Sequence, residues 1–429
     1  MNASKLIGLI ADGGLDSRFA EIYGEAGIAE ASKRYTDVLN SFVSMYGSDR
    51  DVSLFSVPGR TEISGNHTDH NHGKVIAGSV SLDIIAAAAP SAGSVIRVKS
   101  EGFPEDIVDF SDYSEPDESL FGKSASLIAG CVKGISDKGF SVGGFDACTS
   151  SNVLKGSGLS SSAAFEDMIG TVLNHMYNGG VIDFVEISKI SQFSENVFFG
   201  KPCGLMDQVA CAAGGMVSID FLDPKRPEVE RLGFDLTKAG YNLVIINTGG
   251  NHADLTPDYA AVPAEMKKAA ASFDEEVLRD VNEDIFVSRI SEVRAEAGDR
   301  AVLRALHFFS ENKRVDAMKN ALNDGDIGVF LDLIKESGRS SFCYLQNVFT
   351  PSNVSEQGVS LALCLLERVL SHTARPSAWR VHGGGFAGTV QAFVPSENVA
   401  ELKETISAVF GEKAVYLLTV RAVGACRVF

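Results

Sequence analysis

Residues Gly156-Ser-Gly-Leu-Ser-Ser-Ser-Ala163 run directly into an amphipathic pattern, and no other stretch of the 429-residue chain limits its local structure as strongly. Two glycines permit a tight turn in which successive backbone N–H groups aim at one point. Three serines then put small hydroxyls at the first helical turn, where backbone donors lack intrahelical partners. From Ala163 to Asn178, apolar residues fall at Phe165, Ile169, Val172, Leu173 and Met176. That spacing predicts a helix, which Gly179-Gly180 closes. A glycine turn at a helix N-terminus suits a phosphate. An ordinary serine-capped helix would read the same way, so this segment alone leaves both readings open.

The chain is long enough for two cores. Hydrophobic content of 45% and charged content of 22% are those of a globular protein. A net charge of -18 argues against nucleic acid or an anionic membrane as partner. A bound phosphate then needs local help from backbone dipoles, Arg, Lys or a metal. Seven cysteines without a C-x-x-C pair imply reduced thiols and a cytoplasmic location. The apolar stretch Leu6 to Ala11 is too short for a signal peptide, and nothing approaches a membrane span.

Helical patterns cover residues 26 to 46, 183 to 200, 257 to about 338, and 354 to 373. Short strands are expected at 52–57, 216–221, 243–247, 378–381, 389–394 and 415–420, with a buried apolar run at 75–89. Residues 101 to 119 carry eight acids and no base, the mark of a solvated edge or loop. Strands and helices mix without a strict βαβ alternation, which favours an α+β fold. A boundary fits near the Pro224-Lys-Arg-Pro227 stretch, giving domains 1–235 and 236–429.

Three further segments carry chemistry. Between glycines, the polar loop Gly59 to Gly73 sets a cation, an anion and several short hydrogen-bonding side chains, including Arg60, Glu62, Asn66, His67, Asp69 and His70. A polyhydroxylated ligand needs such a loop, since each hydroxyl requires a donor and an acceptor in fixed positions. Histidines 67, 70 and 72 lack H-x-x-x-H spacing and a nearby cysteine, so they make a poor metal site. The segment Phe199 to Gln208 holds Asp207 as a lone acid among apolar and small residues: a helix cap or a catalytic base. Glu195, twelve positions earlier, reads as a solvated helix face or a metal ligand. His382-Gly-Gly-Gly-Phe-Ala-Gly388 matches G-x-G-x-x-G but lies between strands rather than opening a helix. It reads as a glycine loop that lets backbone approach a ligand or another loop. Gly122-Lys-Ser124 would need glycine at Asp117 to form a Walker A motif.

Taken in order, these blocks resemble the GHMP small-molecule kinases. The first block narrows the resemblance to the galactokinase family, whose opening signature runs close to G-R-V-N-L-I-G-E-H-T-D-Y-N. The resemblance extends from about residue 52 to the end and implies a two-domain α+β protein with its active site in the interdomain cleft. It implies ATP and Mg²⁺ as cofactors, and a sugar 1-kinase acting on galactose. A kinase for a sugar altered at C6, such as galacturonate, and a non-catalytic sugar sensor are the alternatives. In this resemblance Asp207 is the base that accepts the proton of the sugar C1 hydroxyl, and Arg60 lowers its pKa. Gly156, Ser157, Gly158, Leu159, Ser160, Ser161 and Ser162 form the phosphate loop. Ser162 and Glu195 are the Mg²⁺ ligands, and Asn66, His67, Asp69 and Tyr259 contact the sugar. Four positions depart from the pattern: Asn66 for glutamate, Glu62 for asparagine, His70 for tyrosine and Ala387 for glycine. Asn66 in place of a charged acceptor predicts weaker discrimination at the sugar's C6.

Overall fold

A computed structural model describes residues 1–111, 115–153, 159–250 and 255–429. The predicted phosphate-loop residues Gly156, Ser157 and Gly158 lie outside these described residues. The chain opens with three helices, α1 (Ala3–Ala11), α2 (Asp16–Tyr23) and α3 (Ile28–Tyr46). Asn2 caps α1 by accepting from the Lys5 N–H, and Gly47 at φ 90° closes α3. Strands β1 (Ser53–Ser64), β2 (Lys74–Pro90), β3 (Val95–Ser100) and β4 (Glu105–Asp109) follow, then α4 (Ser124–Asp137) and β5 (Phe145–Ser151). Helices α5 (Ser161–Tyr177), α6 (Phe184–Phe193) and α7 (Met206–Ala213) precede β6 (Met216–Asp220) and β7 (Glu228–Leu232). The second half holds β8 (Tyr241–Asn247), α8 (Thr256–Ala271), α9 (Glu283–Ser288), α10 (Ile290–Ala297), α11 (Asp299–Asn323), α12 (Ile327–Ser340) and α13 (Gly358–Leu370). It ends with β9 (Ala378–His382), β10 (Thr389–Pro395), α14 (Val399–Phe410), β11 (Val415–Leu418) and β12 (Cys426–Arg427).

One sheet runs β12-β1-β2-β5-β3-β4, with β6 and β7 joined through β2; a second runs β11-β8-β10-β9. All pairings are antiparallel except that of β3 with β5. The sheets fall on either side of residue 235, where we propose the domain division; β12 crosses back over it to pair with β1. Strand β2 is buried on both faces, which is why it reads as a continuous apolar run. Ile84, Ala86 and Ala88 face the core beneath α4, α5 and α6. Ile85, Ala87 and Ala89 face Phe19, Tyr35 and Phe42 of the N-terminal helices.

Two expectations need correction. The polar segment from Gly59 to Ser64 is strand, not loop: it continues β1 against β2, with bulges between Pro58 and Arg60 and between Glu62 and Ser64. Its polar side chains hid the strand because nearly all are buried and hydrogen-bonded, so no apolar alternation remains. The bulges re-aim successive side chains and let Pro58 stand within the sheet. The helix expected over 183–200 ends at Phe193 and passes into a π-helical turn, Ser194–Phe198, that contains Glu195.

A buried charge joins the N-terminal helices to the rest of the fold. Asp83 on β2 accepts from Arg34 (2.7 Å), Tyr23 (2.6 Å), Ser56 (2.6 Å) and Arg421 (3.0 Å). Its side chain is fully buried and that of Arg421 is 1% exposed. Burial acts to raise the Asp83 carboxyl; Arg34, Arg421 and the two hydroxyls outweigh it and hold the group below its ordinary value. This contribution is therefore complete above the unfolded carboxyl pKa of about 4 and fades as pH falls through the native value. Asp83→Asn leaves two arginines facing an uncharged amide and is expected to cost about 3 kcal/mol or more at pH 7. Chemical denaturation should show that deficit at pH 7 and a smaller one below pH 4; a constant deficit would place the effect in packing rather than charge.

Candidate active site

The first bulge of β1 buries Arg60 and points it across the sheet at α7. Arg60 Nε and Nη2 donate to Asp207 Oδ1 and Oδ2, each at 2.7 Å, a bidentate ion pair. Ser160, at the N-terminus of α5, donates its hydroxyl to Asp207 Oδ2 as well. Asp207 lies in the first turn of α7, yet its carboxylate accepts from these two side chains and α7 has no side-chain cap bond, which excludes the helix-cap reading. Burial acts to raise the Asp207 carboxyl; the Arg60 charge and hydrogen bond, aided by Ser160 and Lys201, more than offset it. The carboxyl sits below its ordinary value and is ionised at neutral pH.

The α5 N-terminus opens beside this pair. Leu159, fully buried, accepts the Arg60 N–H at 3.2 Å through its carbonyl and so ties the loop to β1. Ser161 and Ser162 begin the helix. Ser162 Oγ donates to Glu195 Oε1 at 2.9 Å. Glu195, 2% exposed, also receives Lys201 Nζ at 2.7 Å and Gln208 Nε2 at 3.0 Å. One hydroxyl and one carboxylate next to a helix N-terminus form a hard-oxygen pair of the kind Mg²⁺ uses when substrate phosphates and water complete its shell. Glu195 Oε1 already takes Ser162 and Lys201, so a metal bound there would displace one of these donors, whereas Oε2 takes Gln208 and keeps an acceptor position for it.

The other candidates surround the Gly383–Gly385 loop. Asn66 Nδ2 donates to the Gly383 carbonyl (2.7 Å), His67 Nε2 meets the Gly384 carbonyl (2.9 Å), and Tyr259 Oη donates to the Gly385 carbonyl (2.9 Å). The glycine loop thus approaches another loop, with side chains on its carbonyls. Burial lowers the His67 imidazole to about 4 and raises the Tyr259 phenol to about 12. Asp69 is half-buried, and its carboxylate lies against Gly204, where a Cβ would come within 2.0 Å of Oδ2. That glycine lets the Asp69 carboxylate reach the segment leading to Asp207.

Asn66 differs from expectation. It is fully buried, and all four of its side-chain hydrogen-bond positions are filled. Beyond Gly383, its Nδ2 donates to Glu62 Oε1 (3.0 Å), while Oδ1 accepts from Asn347 (2.7 Å) and Ser341 (3.3 Å). It is an internal strut in this structure and faces no open space. Glu62 in turn receives Arg380 Nη2 at 2.9 Å. The two departures from the family pattern, Glu62 and Asn66, therefore touch: carboxylate and amide have exchanged places. Sequence reasoning did not find the residues that hold this loop from the second half. Glu311 on α11 accepts from the Gly65 N–H (3.1 Å), Ser64 (3.0 Å), Ser337 (2.5 Å) and Arg314 (2.8 Å). Gly65 itself, at φ +95°, would put a Cβ 2.4 Å from the Lys74 carbonyl. Glu311, Arg380 and Asn347 sit in ordinary helical, strand and loop contexts, and no local spacing marks them.

Comparison with known proteins identifies the family. A model of the galactokinase galactose-binding signature matches residues 40–90, and the GHMP kinase N-terminal domain matches residues 121–215. A galactokinase of Actinobacillus pleuropneumoniae serotype 3 is 32% identical over 371 residues, covering 85% of this chain and 91% of that protein. The chain belongs to the galactokinase family. A Streptococcus mutans galactokinase is 29% identical over 88% of this chain and 93% of its own length. Among solved structures, Lactococcus lactis galactokinase complexed with galactose superimposes with a TM-score of 0.76 at 22% identity, over 90% of this chain and 98% of that one. Methanococcus jannaschii mevalonate kinase does so with a TM-score of 0.60 at 14% identity, over 86% and 98%. These two likenesses bear on the fold, which is that of the GHMP kinases.

The exchanged pair generates a test. Asn66→Glu would set a second carboxylate against buried Glu62 and remove two donors, at an expected cost above about 2 kcal/mol. The double exchange Glu62→Asn/Asn66→Glu relieves the like-charge contact and should be more stable than the single variant in thermal melts. Wild-type stability for Asn66→Glu alone would mean that position 66 faces open space.

Proposed function

We propose that this galactokinase-family protein phosphorylates the C1 hydroxyl of galactose with ATP, and that Asp207 is the base. The observation that carries the reading is the bidentate Arg60–Asp207 pair beside the open N-terminus of α5. Phosphoryl transfer asks for positioning and charge neutralisation more than for covalent chemistry. An ionised Asp207 can take the sugar's proton as the C1 oxygen attacks the γ-phosphoryl group. Arg60 keeps that carboxylate ionised and aims it, and its charge favours the phosphoryl oxygens. The first-turn N–H groups of α5 and the hydroxyls of Ser160, Ser161 and Ser162 are suited to the nucleotide phosphates. Ser162 and Glu195 would hold Mg²⁺, which when bound neutralises phosphate charge. Asp69 offers its carboxylate to sugar hydroxyls, and His67 and Tyr259 fix the wall formed by the glycine loop. A sensor that only binds sugar has no need of an ionised base held by a buried arginine. Among the described residues no helix is long and apolar enough to cross a membrane, and we place the enzyme in the cytoplasm, where ATP is at hand.

Phosphorus NMR of the product formed with Mg²⁺, ATP and galactose should show an anomeric phosphate. A 6-phosphate would remove Asp207 from its role opposite C1. Asp207→Asn is expected to stay folded, to retain nucleotide affinity and to lose on the order of 10²-fold or more in kcat. Full turnover in that variant, measured beside its thermal melt, would refute the base.

A further inference from the structure

Ser160 has an unusual conformation for its place in the fold. It occupies the N-cap of a seventeen-residue helix, where serine ordinarily turns its oxygen to the N–H of the second or third helical residue. Here it makes no such bond. Its backbone is left-handed, φ 54° and ψ 65°, a region that non-glycine residues rarely enter. The neighbours enforce this: Leu159 is buried and tied to the Arg60 N–H, and α5 begins one residue later. The result is that the hydroxyl leaves the helix terminus and donates to Asp207 Oδ2. Strain retained in this way is found where it serves function.

We propose that Ser160 couples nucleotide binding to sugar binding by exchanging its one hydroxyl proton between Asp207 and a nucleotide phosphate. The inference rests on the kinase reading above. Asp207 Oδ2 accepts from Arg60 Nη2 and from Ser160 Oγ, which fills the two acceptor positions of that oxygen. A sugar hydroxyl that is to give its proton to Oδ2 must displace one of them. Arg60 is charged, 8% exposed and bound twice, so Ser160 is the partner that yields. A hydroxyl has a single proton to donate. With the nucleotide absent, that proton occupies Oδ2, one of the two oxygens of the base. With a phosphate at the α5 terminus, it turns to the phosphate and leaves Oδ2 open to the sugar. The same step frees no helix donor, because Ser160 never capped the helix, so the anion meets the whole first turn. Ser160 is in this account a positioning residue for the base as well as a phosphate contact. By linkage, each substrate tightens the other by the same factor.

Calorimetric titration with galactose, with and without a non-hydrolysable ATP analogue and Mg²⁺, reads this factor directly. In the wild type the analogue should lower the galactose Kd by about three- to tenfold, the effect of one competing hydrogen bond. Ser160→Gly removes the hydroxyl and suits the left-handed backbone; Ser160→Ala removes the hydroxyl and keeps the strain. Both should bind galactose without nucleotide about as tightly as the wild type binds it with nucleotide, and the coupling factor should fall to about one. Coupling that persists in both variants, or is lost only in Ser160→Gly, overturns the inference; the second result would assign the effect to the backbone. Galactose binding without coupling in the wild type overturns it too while leaving the kinase reading intact. Failure of the wild type to bind galactose at all overturns both.

Discussion

The ion pair between Arg60 and Asp207 is the constraint around which the site is built. Arg60 is a guanidinium buried in a sheet and costly alone, while the Asp207 side chain is 29% exposed and only partly desolvated, which acts to raise its carboxyl. Together they make two short, parallel hydrogen bonds. The pair requires a strand that bulges to aim Arg60, a helix that begins one residue before Asp207, and a close approach of Leu159 to β1. These three local features meet at one point, where they present an ionised carboxylate beside a helix terminus that lacks a side-chain cap.

Beneath this pair lies a second layer of buried polar groups that joins the two halves of the chain. Glu311 holds the Gly65 N–H, Arg380 holds Glu62, His307 meets the Asn66 carbonyl at 3.0 Å, and Asn347 holds the Asn66 side chain. All of these partners come from beyond residue 300, while the loop they support belongs to the first sheet. The Glu62–Asn66 exchange keeps one carboxylate and one amide in this layer and moves the charge toward Arg380. Specificity at C6, which the family pattern ties to position 66, is in this structure separated from that side chain by its own full set of partners.

Much of this was legible in the sequence because the informative residues were local. The α5 pattern, the strands at 216–221 and 243–247, and the buried run at 75–89 all follow from spacing and burial, and each has its element. The link between Arg60, Asp207 and the serine block came from three separated motifs whose order matched one family. What could not be read depended on long-range pairing. Strand β1 beyond Val57 has polar residues on both faces, so its period vanishes. Helices α1 and α2 are short, and their apolar residues make sense only against the outer face of β2. The partners of Asn66 are equally invisible in the sequence, because its spacing does not show that Glu62, Gly383, Ser341 and Asn347 surround the side chain. Ser160 read as a phosphate contact, and only the fold shows that its hydroxyl is turned to the base.

The account stands on Arg60 holding Asp207 in its charged form against the pull of burial. Arg60→Lys keeps a positive charge but gives up the bidentate grip, so the Asp207 pKa should rise. The pH dependence of kcat/KM for galactose reports that group in the free enzyme. For the wild type, activity should persist as pH falls into the ordinary carboxylate range, and in Arg60→Lys the acid limb should move to higher pH. An acid limb at the same pH in both enzymes would contradict the central claim.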